Sequence, residues 1–197
     1  AIAGQAHTLA TNTRYLHEAP VKLAERILAT MPDELDRVLF VNSGSEATDT
    51  AWRLATAATG NEGAVVSEHA YHGITEATTA QSPTIWPEGM DPDHVETVAP
   101  PVDDAHHGDR TAADPVQGMT ESLAALEERG TDAAAWTFDP LFTSDGIYPP
   151  DVERLTSMVD HVREAGGLVI ADEVQSGFGR SGESLWGFRN AGIIPDV

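Results

Sequence analysis

The sequence predicts an α/β fold, a mostly parallel sheet flanked by helices. Short apolar runs bounded by turn residues alternate with longer stretches of helical period along most of the 197 residues. Residues 168–171 (Leu-Val-Ile-Ala) form an unbroken apolar run, as a strand covered on both faces does. Glycines stand where the helical stretches stop, at Gly60, Gly130 and Gly166-Gly167. No internal repeat competes with this reading.

Over residues 20–31 the apolar Val21, Ala24, Ile27, Leu28 and Met31 recur at helical spacing, with Pro20 suited to a first turn. Residues 37–41 (RVLFV) read as a short strand that runs into Asn42-Ser43-Gly44-Ser45. A second helix is expected from Glu46, with Ala47, Ala51, Leu54, Ala55 and Ala58 as its buried stripe. Residues 64–67 form the next strand. Residues 81–115, rich in Pro, Asp, His and Gly and without a period, read as a long surface excursion. Order resumes with a helix over 121–129 capped by Thr120, then a strand over 133–138. Val152, Leu155, Val159 and Val162 mark the last helix before the strand at 168–171. Trp52 and Trp136 are expected in the core.

The charge excludes several functions. Asp and Glu number 32 against 11 Lys and Arg, a formal charge of −21, and Lys22 is the single lysine. Such a chain repels phosphate backbones and anionic membrane surfaces, so neither nucleic acid nor membrane is expected as a partner. The charge fits either a merely acidic cytosolic protein or adaptation to high salt, and scarce Lys with abundant Ala and Thr favours the second. The absence of cysteine removes disulfides and thiolate metal sites. Residues 1–10 lack the pattern of a signal peptide, and no apolar run reaches the ~20 residues of a membrane span. A soluble cytoplasmic protein is the expectation.

Ligands of open α/β sheets bind at the carboxyl ends of strands, and two clusters are placed there. In Ser43-Gly44-Ser45, Gly44 permits close backbone approach to an anion, and the helix start supplies free N–H groups. Taken alone, the same triplet reads as a helix cap. Asp172 ends the apolar strand at 168–171, where an acid needs a partner. It either caps the next element, pairs with an arginine, or faces a cationic ring nitrogen. His72 in isolation reads as a histidine bonded to backbone, and His106-His107, without a cage of other ligands, reads as solvated loop.

Residues 40–55 (FVNSGSEATDTAWRLA), 70–73 (AYHG) and 170–182 (IADEVQSGFGRSG) resemble, in order and spacing, three signatures of the class III aminotransferases. The likeness extends through WGFRNAGIIPDV at 186–197. It implies the large domain of a fold-type I enzyme dependent on pyridoxal 5'-phosphate. It further implies Ser43, Gly44 and Ser45 at the cofactor phosphate, with Tyr71 stacked on one face of the ring and Val174 on the other. Asp172 would stand at the ring nitrogen, Gln175 near the phenolic oxygen, and His72 within the same cofactor-binding set. Residues 11–17 (TNTRYLH) resemble a segment near the active-site entrance. The partners implied are an amino-acid or amine donor, an oxo-acid acceptor and a second copy in a homodimer.

The resemblance divides the chain into an N-terminal helical segment, 1–35, and a partial cofactor-binding large domain, 36–197. It also implies a Schiff-base lysine just beyond the segment like residues 195–197. Lys22 lies ahead of the phosphate motif and is not that lysine, so a partial chain without turnover, lacking the small C-terminal domain, is expected. Relatives handling GABA or ornithine carry a glutamate at the position of Ser144. Its absence points to the branch of alanine–glyoxylate aminotransferase 2 and the amino-alcohol-phosphate phospholyases.

If the acidity is adaptation to salt, transfer from molar KCl to dilute buffer unscreens the self-repulsion and the chain loses compactness. Circular dichroism follows the transfer, and spectra that coincide in both buffers contradict the halophilic reading.

Overall fold

The computed structural model describes residues 1–12, 14–102 and 114–197. His106 and His107 lie outside them. The chain divides into two compact units, Ala1–Leu39 and Phe40–Val197. The first contains helices α1 (Ile2–Thr8) and α2 (Glu18–Leu28). His17 starts α2, its Nδ1 accepting the Ala19 N–H at 2.9 Å, and Lys22 pairs with Glu18 one turn away at 2.8 Å. No residue of α2 is buried.

The second unit contains a four-stranded, wholly parallel sheet in the order β2-β1-β3-β4. The strands are β1 (Gly63–Ser67), β2 (Val95–Val98), β3 (Ala133–Phe138) and β4 (Leu168–Ala171). Every residue of β1 and β3 is buried, as strands with both faces covered require. Helix α3 (Gly44–Thr59) packs against β3 and β4, and its Ala51, Trp52 and Ala55 join Ala64, Val66, Ala135 and Ile170 in one apolar cluster. Helices α5 (Pro115–Glu128) and α6 (Val152–Glu164) pack on each other and on the strands, burying Met119, Leu126, Leu155, Met158 and Val162. Trp136 is fully buried and Trp52 is 9% exposed, as expected. The short α4 (Glu76–Ala80) follows β1, and α7 (Gly187–Asn190) follows β4.

Gly60 ends α3 in the left-handed conformation (φ 76°), and Gly166 follows α6 at φ 83°. Four expectations need correction. Residues 37–41 form no strand: they have no ladder partner among the described residues, and Leu39, Phe40 and Val41 remain exposed. The buried stripe of α3 is Thr48, Ala51, Trp52 and Ala55, which leaves Ala47, Leu54 and Ala58 outside, because the larger apolar surface of Trp52 turns to the sheet. The described part of the stretch from 81, residues 81–102, is no surface excursion. It supplies the edge strand β2, and Gln81, Ser82, Val95, Val98 and Val102 are buried. Four residues, two of them polar, were too few to show a strand's period. Helix α5 begins at Pro115, six residues early. Asp114 caps it by accepting the Val116 N–H, and the Thr120 hydroxyl bonds back to Val116 O.

The carboxyl edge of the sheet is where the loops converge. Phe138 lies beside Ala171, and the ladder continues one step as Asp172 N–H donates to Phe138 O at 2.8 Å. On the outer side of β4, Ala171 N–H donates to Val197 O and Val197 N–H to Val169 O, a parallel bridge centred on Ile170. Asp196 fastens it, accepting from the Val169 N–H at 2.9 Å while paired with Arg163.

The loop after β3 is tied to β1 by a buried carboxylate. Asp145, 8% exposed, accepts from Ser67 Oγ at 2.6 Å and from the His69 N–H at 3.0 Å. Burial pushes its carboxyl up, against the lowering effect of these two bonds and of the His69 charge. An acid raised on folding holds its proton more tightly in the folded chain. Its contribution to stability is therefore full at acid pH and lost as pH rises through the folded value. Asp145→Asn does not titrate, so its stability relative to the natural chain should improve as pH is raised through the acid range to neutrality. Denaturant midpoints of both proteins in the same salt test this, and a difference constant with pH refutes it.

Candidate functional site

Asn42-Ser43-Gly44-Ser45 turns an extended segment into α3. Ser43 is the N-cap, with φ −153° and Oγ accepting from the Glu46 N–H at 3.2 Å. Glu46 reaches back, its Oε2 accepting from the Asn42 N–H at 2.6 Å. Ala47 N–H is bonded to Ser43 O. The first N–H groups of a helix have no partner within it, which here means those of Gly44 and Ser45, at the positive end of a 16-residue helix. The backbone φ of Gly44 is not the reason for glycine. A Cβ there would stand 2.9 Å from Cγ2 of Val174, so the missing side chain is what lets the start of α3 meet the loop after β4.

Residues 70–74 form the second wall. Gly73 has φ +133°, and a Cβ on it would lie 2.7 Å from Ser45 Oγ. Ile74 N–H donates to Ser45 Oγ at 3.1 Å, so the Ser45 hydroxyl proton remains for another acceptor. Ser82, fully buried, fixes the loop by accepting from the His72 N–H at 2.8 Å and donating to Thr78 O at 2.6 Å.

Asp172 forms the third wall. Its Oδ1 accepts from the Val174 N–H at 3.0 Å, and its Oδ2 lies 2.8 Å from Nδ1 of His72. The His72 side chain is 1% exposed and that of Asp172 10%. The ring of His72 thus meets a carboxylate 100 residues away, not the backbone partner that the residue suggests in isolation. Its Nε2 is buried without a hydrogen-bond partner among the described residues. Beside Asp172 and Val174 an apolar cleft of about 300 Å³ opens, bounded by Ala47, Ala51, Trp186 and Val197.

The eight residues singled out from sequence therefore lie in three neighbouring segments joined by direct contacts: Gly44 with Val174, Ser45 with Gly73 and Ile74, His72 with Asp172. Tyr71 and Val174 are 45% and 59% exposed beside these buried anchors. Gln175 is exposed and its side chain forms no hydrogen bond among the described residues. Sequence reasoning missed Ser82 and Glu173. The carboxylate of Glu173 accepts from Gly187 N–H, Phe188 N–H and the Ser176 hydroxyl. The need of an acid at a strand end for partners, applied to Asp172, would have flagged Glu173 as well.

A phosphate-sized anion and a flat heterocycle with a basic nitrogen fit this arrangement. The helix start offers two N–H donors and a hydroxyl, glycine backbones leave the approach open, and a carboxylate ends the neighbouring strand. Such a site on a parallel sheet with helices on both faces defines the cofactor half of a fold-type I pyridoxal-phosphate enzyme. The chain belongs to the class-III aminotransferases, whose family profile matches residues 1–197. It is 35% identical over 98% of its length to an alanine–glyoxylate aminotransferase 2-like protein of Drosophila melanogaster. It is 36% identical over its whole length to an ethanolamine-phosphate phospho-lyase homolog of Caenorhabditis elegans. A phospholyase from Arthrobacter, solved in complex with phosphoethanolamine, superposes with a TM-score of 0.89 at 33% identity over 98% of this chain. The chain spans 41%, 46% and 47% of these three proteins, less than half of each. No helix among the described residues is long and apolar enough to cross a membrane.

The split between buried anchors and their exposed neighbours has a measurable consequence. His72→Ala strips Asp172 Oδ2 of its partner and opens a cavity, and should cost about 1–3 kcal/mol of stability. Tyr71→Ala should cost less than about 1 kcal/mol, because nearly half its surface is in water. Urea unfolding of the two variants decides, and equal losses would place Tyr71 in the core rather than at the site.

Proposed function

We propose that these residues form the pyridoxal-phosphate-binding core of a class-III enzyme that moves an amino group from an amino acid or amine to an oxo acid. The observation that carries the reading is the meeting of three separate motifs at one sheet edge, through Gly44–Val174, Ser45–Gly73 and His72–Asp172. In this reading Gly44 and Ser45 hold the phosphate through their N–H groups and Ser45 adds its hydroxyl proton. Ser43 keeps the helix start open by serving as its cap. Tyr71 and Val174 enclose the ring between a flat π surface and an aliphatic one. Asp172 keeps a proton on the ring nitrogen, His72 orients Asp172 from behind, and Gln175 donates to the phenolic oxygen. The cofactor, when bound, supplies the electron sink for a carbanion at the substrate carbon.

A lysine that attaches the cofactor and shuttles the proton is not among these residues. Lys22, on α2 ahead of the phosphate motif, is engaged with Glu18. The reading further carries a homodimer, as in the family, and a cytoplasmic location. A high-salt environment is supported by the charge of −21 with one lysine. A second reading, release of phosphate from an amino-alcohol phosphate, is favoured by the phospho-lyase homolog and the Arthrobacter phospholyase among the relatives.

The 197 residues alone, given pyridoxal phosphate, several amino donors and pyruvate, should turn over no faster than free cofactor. In a chain that includes the attaching lysine, Asp172→Asn keeps size and hydrogen bonding but removes the charge that retains the ring proton. A loss of several pKa units of interaction, at about 1.4 kcal/mol each, lowers the single-turnover rate on the order of a thousandfold. Substrate binding should change far less. Near-native chemistry in the variant with cofactor fully bound would sink the assignment of Asp172. Phosphate release from phosphoethanolamine, assayed beside amino transfer, separates the two readings.

A further inference from the structure

We infer that Glu173 is a positioning residue for the cofactor site, clasping residues 174–188 into a closed loop and so fixing Asp172 and Val174 on either side of it. The inference rests on the roles proposed above for those two neighbours. Asp172 and Val174 meet His72 and Gly44, whereas Glu173 meets an entirely different set of groups.

That set uses both carboxylate oxygens. Oε1 accepts from the Phe188 N–H at 2.7 Å, and Oε2 accepts from the Gly187 N–H and the Ser176 hydroxyl, both at 2.8 Å. Ser176 is fully buried and Phe188 is 2% exposed, so water does not readily replace these bonds. The backbone is drawn in as tightly as glycine permits. Gly177 N–H donates to Glu173 O at 2.9 Å, and a Cβ on Gly177 would lie 2.7 Å from that oxygen. A Cβ on Gly187 would lie 2.6 Å from Ser176 Cβ and 3.0 Å from Pro140 Cβ.

Two fastenings therefore bracket the strand end. Below Asp172, the Ala171 N–H is held by Val197 O; above it, Glu173 is held by the start of α7. Between them the Asp172 side chain is hydrogen-bonded to His72 and to the Val174 N–H. Releasing the upper fastening frees the peptide that joins Asp172 to Val174, and both ring-facing groups shift together. Glu173→Gln does this with little change in volume, because its amide nitrogen repels one of the donors that Oε2 or Oε1 now accepts.

The test compares the natural chain with Glu173→Gln well below the unfolding temperature of either, by titration with pyridoxal phosphate followed in the cofactor's absorption. The expected result is binding weakened about tenfold, or ~1.4 kcal/mol. The absorption spectrum of the bound cofactor should also become dependent on pH near neutrality, as the ring proton is held less firmly. A lowered melting temperature with unchanged affinity and spectrum overturns the inference and leaves Glu173 a structural clasp alone. If Glu173→Gln does not fold, Ser176→Ala, which removes one donor of three, is judged by the same two readouts. Failure of the natural chain to bind pyridoxal phosphate overturns the cofactor site itself, an outcome distinct from normal binding by every variant.

Discussion

A helix start that binds an anion, as proposed, and a carboxylate would repel each other's ligands unless something held them at a fixed spacing, and here that constraint is the parallel register of the sheet. Phe138 beside Ala171 places Asp172 one step past the ladder. The packing of α3 on β3 and β4 then brings Gly44 against Val174. A Cβ at Gly44 would stand 2.9 Å from Val174 Cγ2, so a side chain there would displace that of Val174. The helix start and the loop after β4 thus meet in van der Waals contact between the Gly44 backbone and the Val174 side chain.

The proposed anion site lies in a chain whose net charge opposes it, a conflict that distance resolves. At physiological ionic strength charges are screened over ~8 Å, and over less at high salt, so most of the acidic surface does not act at the start of α3. What acts there is the helix end, equivalent to roughly half a positive charge, and N–H groups that need no counter-residue. Glu46 is the one acid within the first turn, and its Oε2 is engaged by the Asn42 N–H. A backbone anion site also suits a chain with a single lysine, because it does not depend on cationic side chains.

The fold was legible where the sequence repeats a period over enough residues. α3, α6, β1, β3 and β4 each follow from an apolar pattern closed by glycine or by a capping residue. It was illegible where tertiary context decides. β2 has four residues and two buried positions, and its membership of the sheet comes from pairing with β1. Residues 37–41 have the opposite history: strand-like in composition, they find no partner to pair with among the described residues. Gly118 in α5 and the acidic, proline-rich residues before it hid that helix's first two turns. At the site, the motifs placed Ser45, His72 and Asp172 near one another, but no pattern in the sequence shows that His72 and Asp172 touch across 100 residues, or that Ser82 anchors the loop between them.

The division of labour across residues 71–74 and 172–175 follows from burial and hydrogen bonding together. In each segment one residue looks inward and bonds to the scaffold: His72 in the first, Glu173 in the second. Its neighbours, Tyr71 on one side and Val174 on the other, keep large exposed apolar surfaces that contribute little to the core. An exposed tyrosine or valine placed singly would need no explanation. Here each is held beside a polar side chain bonded into the sheet edge, His72 to Asp172 and Glu173 to Ser176, Gly187 and Phe188. Rigid anchors behind solvent-facing groups are what a preorganised binding surface needs, because the ordering cost is met on folding rather than on binding.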